Sequence, residues 1–260
     1  MLLALDTSTS LASVALVHTR RVVAELTWEV GQRHSTELLQ RLHWLLDIHG
    51  VAARELTAVA VATGPGSFNG VRVALTTAKS LAFASGIPLY GHPTLDVIAW
   101  GSADADGPLY AVLEAGRGQL YCAHYSAPAA SAAGWGPRDG YHIQTPAELA
   151  EVAACSRERV LFCGEWREET QARLMEALAE RARFRSQVVP RRASWLAELA
   201  LARIESGAPT DDPVQLEPLY LRRPAITTST KTVLRRADVV SAGSTPEERS
   251  GEGASRALHG

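Results

Sequence analysis

The chain opens with three apolar runs, Leu2 to Leu5, Ala12 to Val17 and Val22 to Trp28, separated by short polar stretches. Their length and spacing predict a meander of strands, the first of them buried, with Thr7 to Ser10 as a turn of small polar residues. From His34 to Ile48 the period becomes helical: Leu38, Leu42, Leu45 and Leu46 fall on one stripe, and Leu39, Trp44 and Ile48 widen it. That is more apolar surface than one core face needs, so this helix is expected either to be buried on both sides or to meet a partner helix. Ala58 to Ala62 predicts a short buried strand, Gly64 to Gly66 a turn, Val71 to Ala84 an Ala-rich helix stopped at Gly86, and Ile87 to Tyr90 another strand. A strand, helix, strand succession implies a parallel pair joined by a right-handed crossover.

A second cycle begins at Pro108. Tyr110 to Leu113 predicts a strand, Glu114 to Gly118 a turn of small residues, and Gln119 to Tyr125 a strand, repeating the Leu2 to Val17 unit in outline. The duplication divides the chain into two lobes, each starting with a hairpin whose turn carries an acid, Asp6 in one and Glu114 in the other. Two acid-bearing hairpins facing one cleft are the arrangement of the actin, sugar kinase and Hsp70 superfamily. The pattern itself predicts an α/β chain of two lobes, each with a mixed sheet flanked by helices. Ala127 to Gly140 reads as a surface excursion, Pro146 to Ala154, Glu168 to Arg181 and Ala193 to Ser206 as helices, and Val160 to Cys163 as a strand. The lobes are placed at 1–100 and 101–223, with the helix near 193–206 free to return to the first. After Pro224 Thr, Ser, Gly and charge dominate, which predicts a disordered tail over 224–260.

Composition narrows the function. With 260 residues, 46% of them hydrophobic, the chain can bury a substantial core. A formal net charge of -2 gives it no electrostatic reason to grip a phosphate backbone by itself. Its three cysteines, Cys122, Cys155 and Cys163, form no C-x-x-C pair, which reads as reduced thiols of a cytosolic protein. The apolar run at the N-terminus ends at Asp6, short of a signal-peptide core, and no stretch reaches the roughly 20 apolar residues of a membrane span. A cytoplasmic protein with no membrane contact is expected.

The strongest local motif is Gly64-Pro65-Gly66-Ser67-Phe68-Asn69-Gly70-Val71-Arg72, joining a strand to a helix. Its free N–H groups would suit a phosphate or carboxylate, and its glycines equally suit a tight, closely packed turn. It is no Walker loop, since no Gly-Lys-Ser/Thr closes it, and Pro65 stands where the first Gly of G-x-S-x-G would be. Asp6, Thr7, Gly64, Gly66, Ser67 and Gly70 are the candidate nucleotide or anion contacts. Asp6 could instead cap its own turn. His34, His43 and His49 beside Asp47 read as solvated helix residues, and Cys122 with His124 lacks an orienting partner. No catalytic residue and no metal ligand is assigned. The wide stripe and the Ala-rich helix together mark a candidate partner interface at His34, Leu38, Leu42, Leu45, Val71, Ala74 and Ala78.

Leu5-Asp6-Thr7-Ser8-Thr9 followed by Ser13-Val14-Ala15-Leu16, then His34-Ser35-Thr36-Glu37-Leu38-Leu39, then the Gly64 to Arg72 loop, then Gly118-Gln119-Leu120-Tyr121 and Pro218-Leu219-Tyr220-Leu221-Arg222, resemble in order the landmarks of the TsaB (YeaZ) family. The likeness covers about residues 1 to 223. It implies an actin-like ATPase (ASKHA) fold, and membership of the bacterial complex that forms N6-threonylcarbamoyladenosine at position 37 of tRNAs reading ANN codons. There the chain would be a non-catalytic subunit that dimerises with the catalytic TsaD paralogue through the two helices above and meets the ATPase TsaE. It would touch tRNA only through the complex and have no cofactor of its own, with ATP and a metal ion belonging to the assembly. Where TsaD carries a metal-binding His-x-x-x-His pair, this chain has Thr94 and Ile98. Where the family often has Ile-Asp-Ala-Arg, it has Leu113-Glu114-Ala115-Gly116. The alternatives are an autonomous enzyme of the superfamily, a nucleotide hydrolase or peptidase, and a homodimeric interaction module.

Overall fold

A computed structural model describes residues 1–30, 34–127 and 131–222. β1 (Leu2–Asp6), β2 (Leu11–His18) and β3 (Arg21–Glu29) form the antiparallel meander, and α1 (His34–Ile48) follows it. β4 (Ala58–Ala62) then lies parallel to β1, α2 (Phe68–Ser85) crosses over, and β5 (Leu89–His92) lies parallel to β4. The strand order is β3-β2-β1-β4-β5. After α3 (Thr94–Trp100) the pattern repeats with β6 (Gly107–Gly116), β7 (Gln119–Ala127), β8 (Tyr141–Gln144), α4 (Pro146–Ala154), β9 (Val160–Glu165), α5 (Glu168–Leu178) and β10 (Ala182–Phe184). The second sheet runs β8-β7-β6-β9-β10, the same order and the same sequence of antiparallel and parallel pairs. The duplication read from the two hairpins thus extends through ten strands. α6 (Ala193–Glu205) closes the fold.

The alternation along β1 explains the layering. Leu3 and Leu5 face α1 and α2, in a core with Val14, Leu16, Val59, Val61, Leu38, Leu42, Leu45, Ala74 and Ala78. Leu2 and Ala4 face the other way, toward α6. There Ala15, Ala58, Ala60 and Ala62 of the sheet meet Ala193, Ala197 and Ala200 of the helix, and small side chains on both surfaces permit close approach. β1 is consequently buried on both faces, which is why its apolar residues are continuous.

α3 and α6 are exchanged between the lobes. α3, on the first-lobe side of a division at residue 100, packs Leu95, Ile98 and Ala99 into the core of the second sheet. α6, arriving from the second lobe, covers β1, β2, β4 and β5 of the first, and the two helices touch each other. The 224–260 segment lies outside the described residues.

The interface assignment needs correction. Leu38, Leu42, Leu45, Val71, Ala74 and Ala78 are all buried in the first lobe's own fold, so none of them is available to a partner. The side chain of His34 lies outside the described residues. What α1 leaves at the surface is Leu39 on one flank and Trp44 with Ile48 on the other.

Candidate functional site

The β1–β2 turn and the glycine loop are built as one unit. Thr7 Oγ1 donates to the Gly70 carbonyl at 2.6 Å, and the Ser67 N–H donates to the Ser8 carbonyl at 2.7 Å. Ser67 caps α2, its hydroxyl accepting from the Gly70 N–H at 3.3 Å. A Cβ on Gly66 would overlap the Ser8 carbonyl and one on Gly70 the Thr7 carbonyl. Close packing of two backbones, the second reading of the motif, accounts for both glycines. Gly64 keeps a left-handed φ of 99°, and its carbonyl accepts the Thr94 N–H at 2.7 Å.

Asp6 is fully buried and fully engaged. Its Oδ1 accepts from the Ser8 N–H at 2.9 Å and the Ser8 hydroxyl at 2.5 Å, capping its own turn. Its Oδ2 accepts from Arg191 Nε at 2.6 Å. The Arg191 guanidinium is 2% exposed and also reaches Glu165 of the second lobe at 2.6 Å. Breaking such a buried pair by removing one partner costs about 3–5 kcal/mol, because a charge is left without compensation. Arg191 is a site residue the sequence did not flag. It lies 185 positions from Asp6, and only the need of a buried strand-end carboxylate for a counter-charge pointed toward it.

Beside this pair a cleft of about 590 Å³ opens between the lobes. Ser8, Thr9, Gly66 and Ser67 line one side, and Glu114, Tyr121, Glu165, Trp166 and Arg167 the other. Of the six candidate anion contacts, Gly66 and Ser67 border the cleft, whereas Asp6, Thr7, Gly64 and Gly70 do not line it. Glu114 does border it, but its Oε1 accepts from the Arg167 N–H at 3.1 Å and the Thr170 hydroxyl at 2.8 Å, filling the cap of α5 from a neighbouring strand. An Mg²⁺–nucleotide does not fit these residues as they stand, since the first hairpin's carboxylate already holds a guanidinium.

Thr94 and Ile98 are both buried in α3, and Ile98 offers no donor atom to a metal. Among the described residues no three His, Cys, Asp or Glu side chains gather around a possible metal position. Burial pushes the Cys122 and Cys163 thiols up to about 12, and His124 stacks flat on Tyr110 with ring centroids 4.5 Å apart. Neither thiol is a nucleophile in that state.

The Pro218 to Arg222 motif is a strap across the glycine loop. The Leu219 N–H donates to the Thr63 carbonyl at 2.8 Å, Tyr220 stacks on Phe68 with centroids 5.5 Å apart, and Arg222 donates to the Ala115 carbonyl at 3.1 Å and to Gln119. With the β1–β2 turn already packed on the glycine loop, four of the five ordered landmarks therefore meet at one place. Helical spacing groups Leu39 with Leu46 on one flank of α1; Trp44 on the other lies beside Leu26 of β3, so the Leu39 flank turns toward α2, where Val73 and Leu81 are only partly buried. This seam is apolar and lacks a covering element among the described residues.

Two lobes of identical strand order, each opening on an acid-bearing hairpin beside a shared cleft, define a two-lobed actin-like α/β protein. Within that class, a family model for TsaD, tRNA N6-adenosine threonylcarbamoyltransferase, matches residues 28–132. The chain is 35% identical over 124 residues to the tRNA threonylcarbamoyladenosine biosynthesis protein TsaB of Bacillus subtilis, covering 48% of this chain and 54% of that protein. It is 34% identical over 127 residues to TsaB of Escherichia coli, with the same coverage. The matches thus span about half the length of these curated relatives. YeaZ from Pseudomonas aeruginosa superposes with a TM-score of 0.68 at 26% identity, over 85% of this chain and 99% of that one. A further Pseudomonas aeruginosa structure, described as an uncharacterized protein with similarity to peptidase YeaZ, gives 0.71 at 27% with the same coverage. These findings bear out the resemblance to the TsaB (YeaZ) family that the five ordered motifs carry.

Proposed function

We propose that this chain is a non-catalytic subunit in the synthesis of N6-threonylcarbamoyladenosine at position 37 of tRNAs reading ANN codons. It docks a TsaD paralogue through the α1–α2 seam, in a cytoplasmic assembly that TsaE joins. The observation that carries the non-catalytic reading is the Arg191 guanidinium seated on Asp6, where an ATPase of this architecture would need a free carboxylate. The buried Ile98 at one of the places of the paralogue's metal ligands supports it, as do the inert thiols. ATP and metal are then held by the partners, and tRNA meets this chain only within the complex. Among the described residues no helix is long and apolar enough to cross a membrane.

The test is to mix the full chain with TsaD of the same organism and determine the mass of the product by size exclusion with light scattering. A stable 1:1 heterodimer with no threonylcarbamoyl transfer by the chain alone is expected. Transfer or nucleotide turnover by the isolated chain would favour an autonomous enzyme. A homodimer indifferent to TsaD would favour a self-associating module.

A further inference from the structure

Arg191 stands in the stretch that returns from the second lobe to the first, between β10 and α6. From there its guanidinium makes five hydrogen bonds. Nε donates to Asp6 Oδ2 at 2.6 Å, and Nη1 donates to Glu165 Oε1 at 2.6 Å. Nη2 donates to Asp6 Oδ1 at 3.3 Å, Thr9 Oγ1 at 3.1 Å and the Leu11 carbonyl at 2.8 Å. Asp6, Thr9 and Leu11 belong to the hairpin of the first lobe, and Glu165 ends β9 of the second. One buried side chain therefore joins both lobes and the segment that connects them, with nearly all its donors used.

We propose that Arg191 is a built-in cationic latch that holds the two lobes at one fixed separation without any ligand in the cleft. A divalent cation bound between facing carboxylates can leave and let two lobes part. A guanidinium attached to the chain cannot diffuse away, so the Asp6–Arg191–Glu165 bridge holds the lobe angle whether or not the cleft is filled. The exchange of helices supports this: α6 begins two residues after Arg191 and packs on the first sheet, while α3 packs into the core of the second, so the lobes are also tied together by packing. The latch does not depend on the identity of the partner; it shares the Asp6–Arg191 pair with the non-catalytic reading, and the Glu165→Ala variant tests the latch alone.

Interlobe distance is the direct readout. Cys155 is an exposed native thiol on the second lobe, while Cys122 and Cys163 are buried. Arg54→Cys places a second label at an exposed position of the first lobe. Pulsed electron spin resonance on this pair is expected to give one narrow distance distribution, unchanged by Mg²⁺ and ATP. Arg191→Met and Glu165→Ala are expected to shift or broaden it toward longer distances. A change on adding Mg²⁺ and ATP to the otherwise unaltered chain overturns the latch, as does an unaltered distribution in both variants when circular dichroism shows them folded. If Arg191→Met does not fold, Glu165→Ala decides, because it removes only the second-lobe arm and leaves the Asp6 pair in place.

Discussion

At Gly70 one hydrogen atom in place of a side chain decides whether two segments can touch. Its carbonyl accepts the Thr7 hydroxyl and its N–H is held by Ser67, so the backbone there cannot withdraw to admit a Cβ. Gly70→Ala is expected to destabilise the chain by about 2–3 kcal/mol through overpacking, read as a lower urea midpoint at unchanged slope. Gly86, the left-handed cap of α2 at φ 62°, is the contrasting case, since nothing lies within 4 Å of its added Cβ. Gly86→Ala should cost only about 1 kcal/mol, the conformational penalty alone. A cost at Gly70 no greater than at Gly86 would show that the loop yields. The distinction also marks what sequence could carry at this scale. The Asp6 cap is local, made within the Asp6-Thr7-Ser8 turn that the sequence itself displays. Arg191 is remote, and no pattern around Pro190-Arg191-Arg192 announces a buried bridge.

At the scale of elements, α1 shows how periodicity finds a helix without saying which face is spent. Its bounds were legible because Leu38, Leu42 and Leu45 repeat at helical spacing, and the same repeat made them look like a partner surface. The sheet takes that stripe, and the flank with Leu39 is what remains for the proposed partner. Leu38→Ala is therefore expected to cost about 2–5 kcal/mol of stability as a core cavity. Leu39→Glu together with Thr77→Glu, at the half-buried α2 residue one turn from both Val73 and Leu81, should leave the thermal midpoint nearly unchanged and abolish association with TsaD, while Ile48→Ser on the other flank leaves association intact. Retained binding by the Leu39/Thr77 double variant would place the contact elsewhere. The elements missed from sequence share a cause. α3 is seven residues, all buried from Thr94 to Ala99, so it shows no polar face and no period. β8 and β10 are edge strands of four and three residues, too short for alternation to register. β5 lies two residues beyond its expected place because Gly91 and His92 interrupt its apolar run.

For the whole molecule, two buried ionisable groups near the crossing helix α3 pull stability in opposite directions as pH changes. Burial pushes Asp96 up to about 6, against hydroxyl bonds from Tyr125 at 2.7 Å and Tyr141 at 2.8 Å that favour its carboxylate. Burial, reinforced by Arg203, lowers His92 to about 4. An aspartate whose folded value lies above its unfolded one stabilises the fold below about pH 4, and that contribution is lost as pH rises through 6. A histidine whose folded value is depressed does the reverse, its contribution being present above about 6.5 and lost as pH falls toward 4. The two effects are opposite in sign and similar in size, on the order of 3 kcal/mol each, so between pH 4 and 6 they largely offset one another. Asp96→Asn keeps an acceptor for both tyrosines and removes one side of that balance. The variant should be more stable than the unaltered chain at pH 7, and its urea midpoint should fall more steeply from pH 6.5 to pH 4. Parallel midpoint curves for the two proteins over that range would mean that the Asp96 carboxyl is already solvated in the native state, and that the α3 region is looser than its packing between the two sheets indicates.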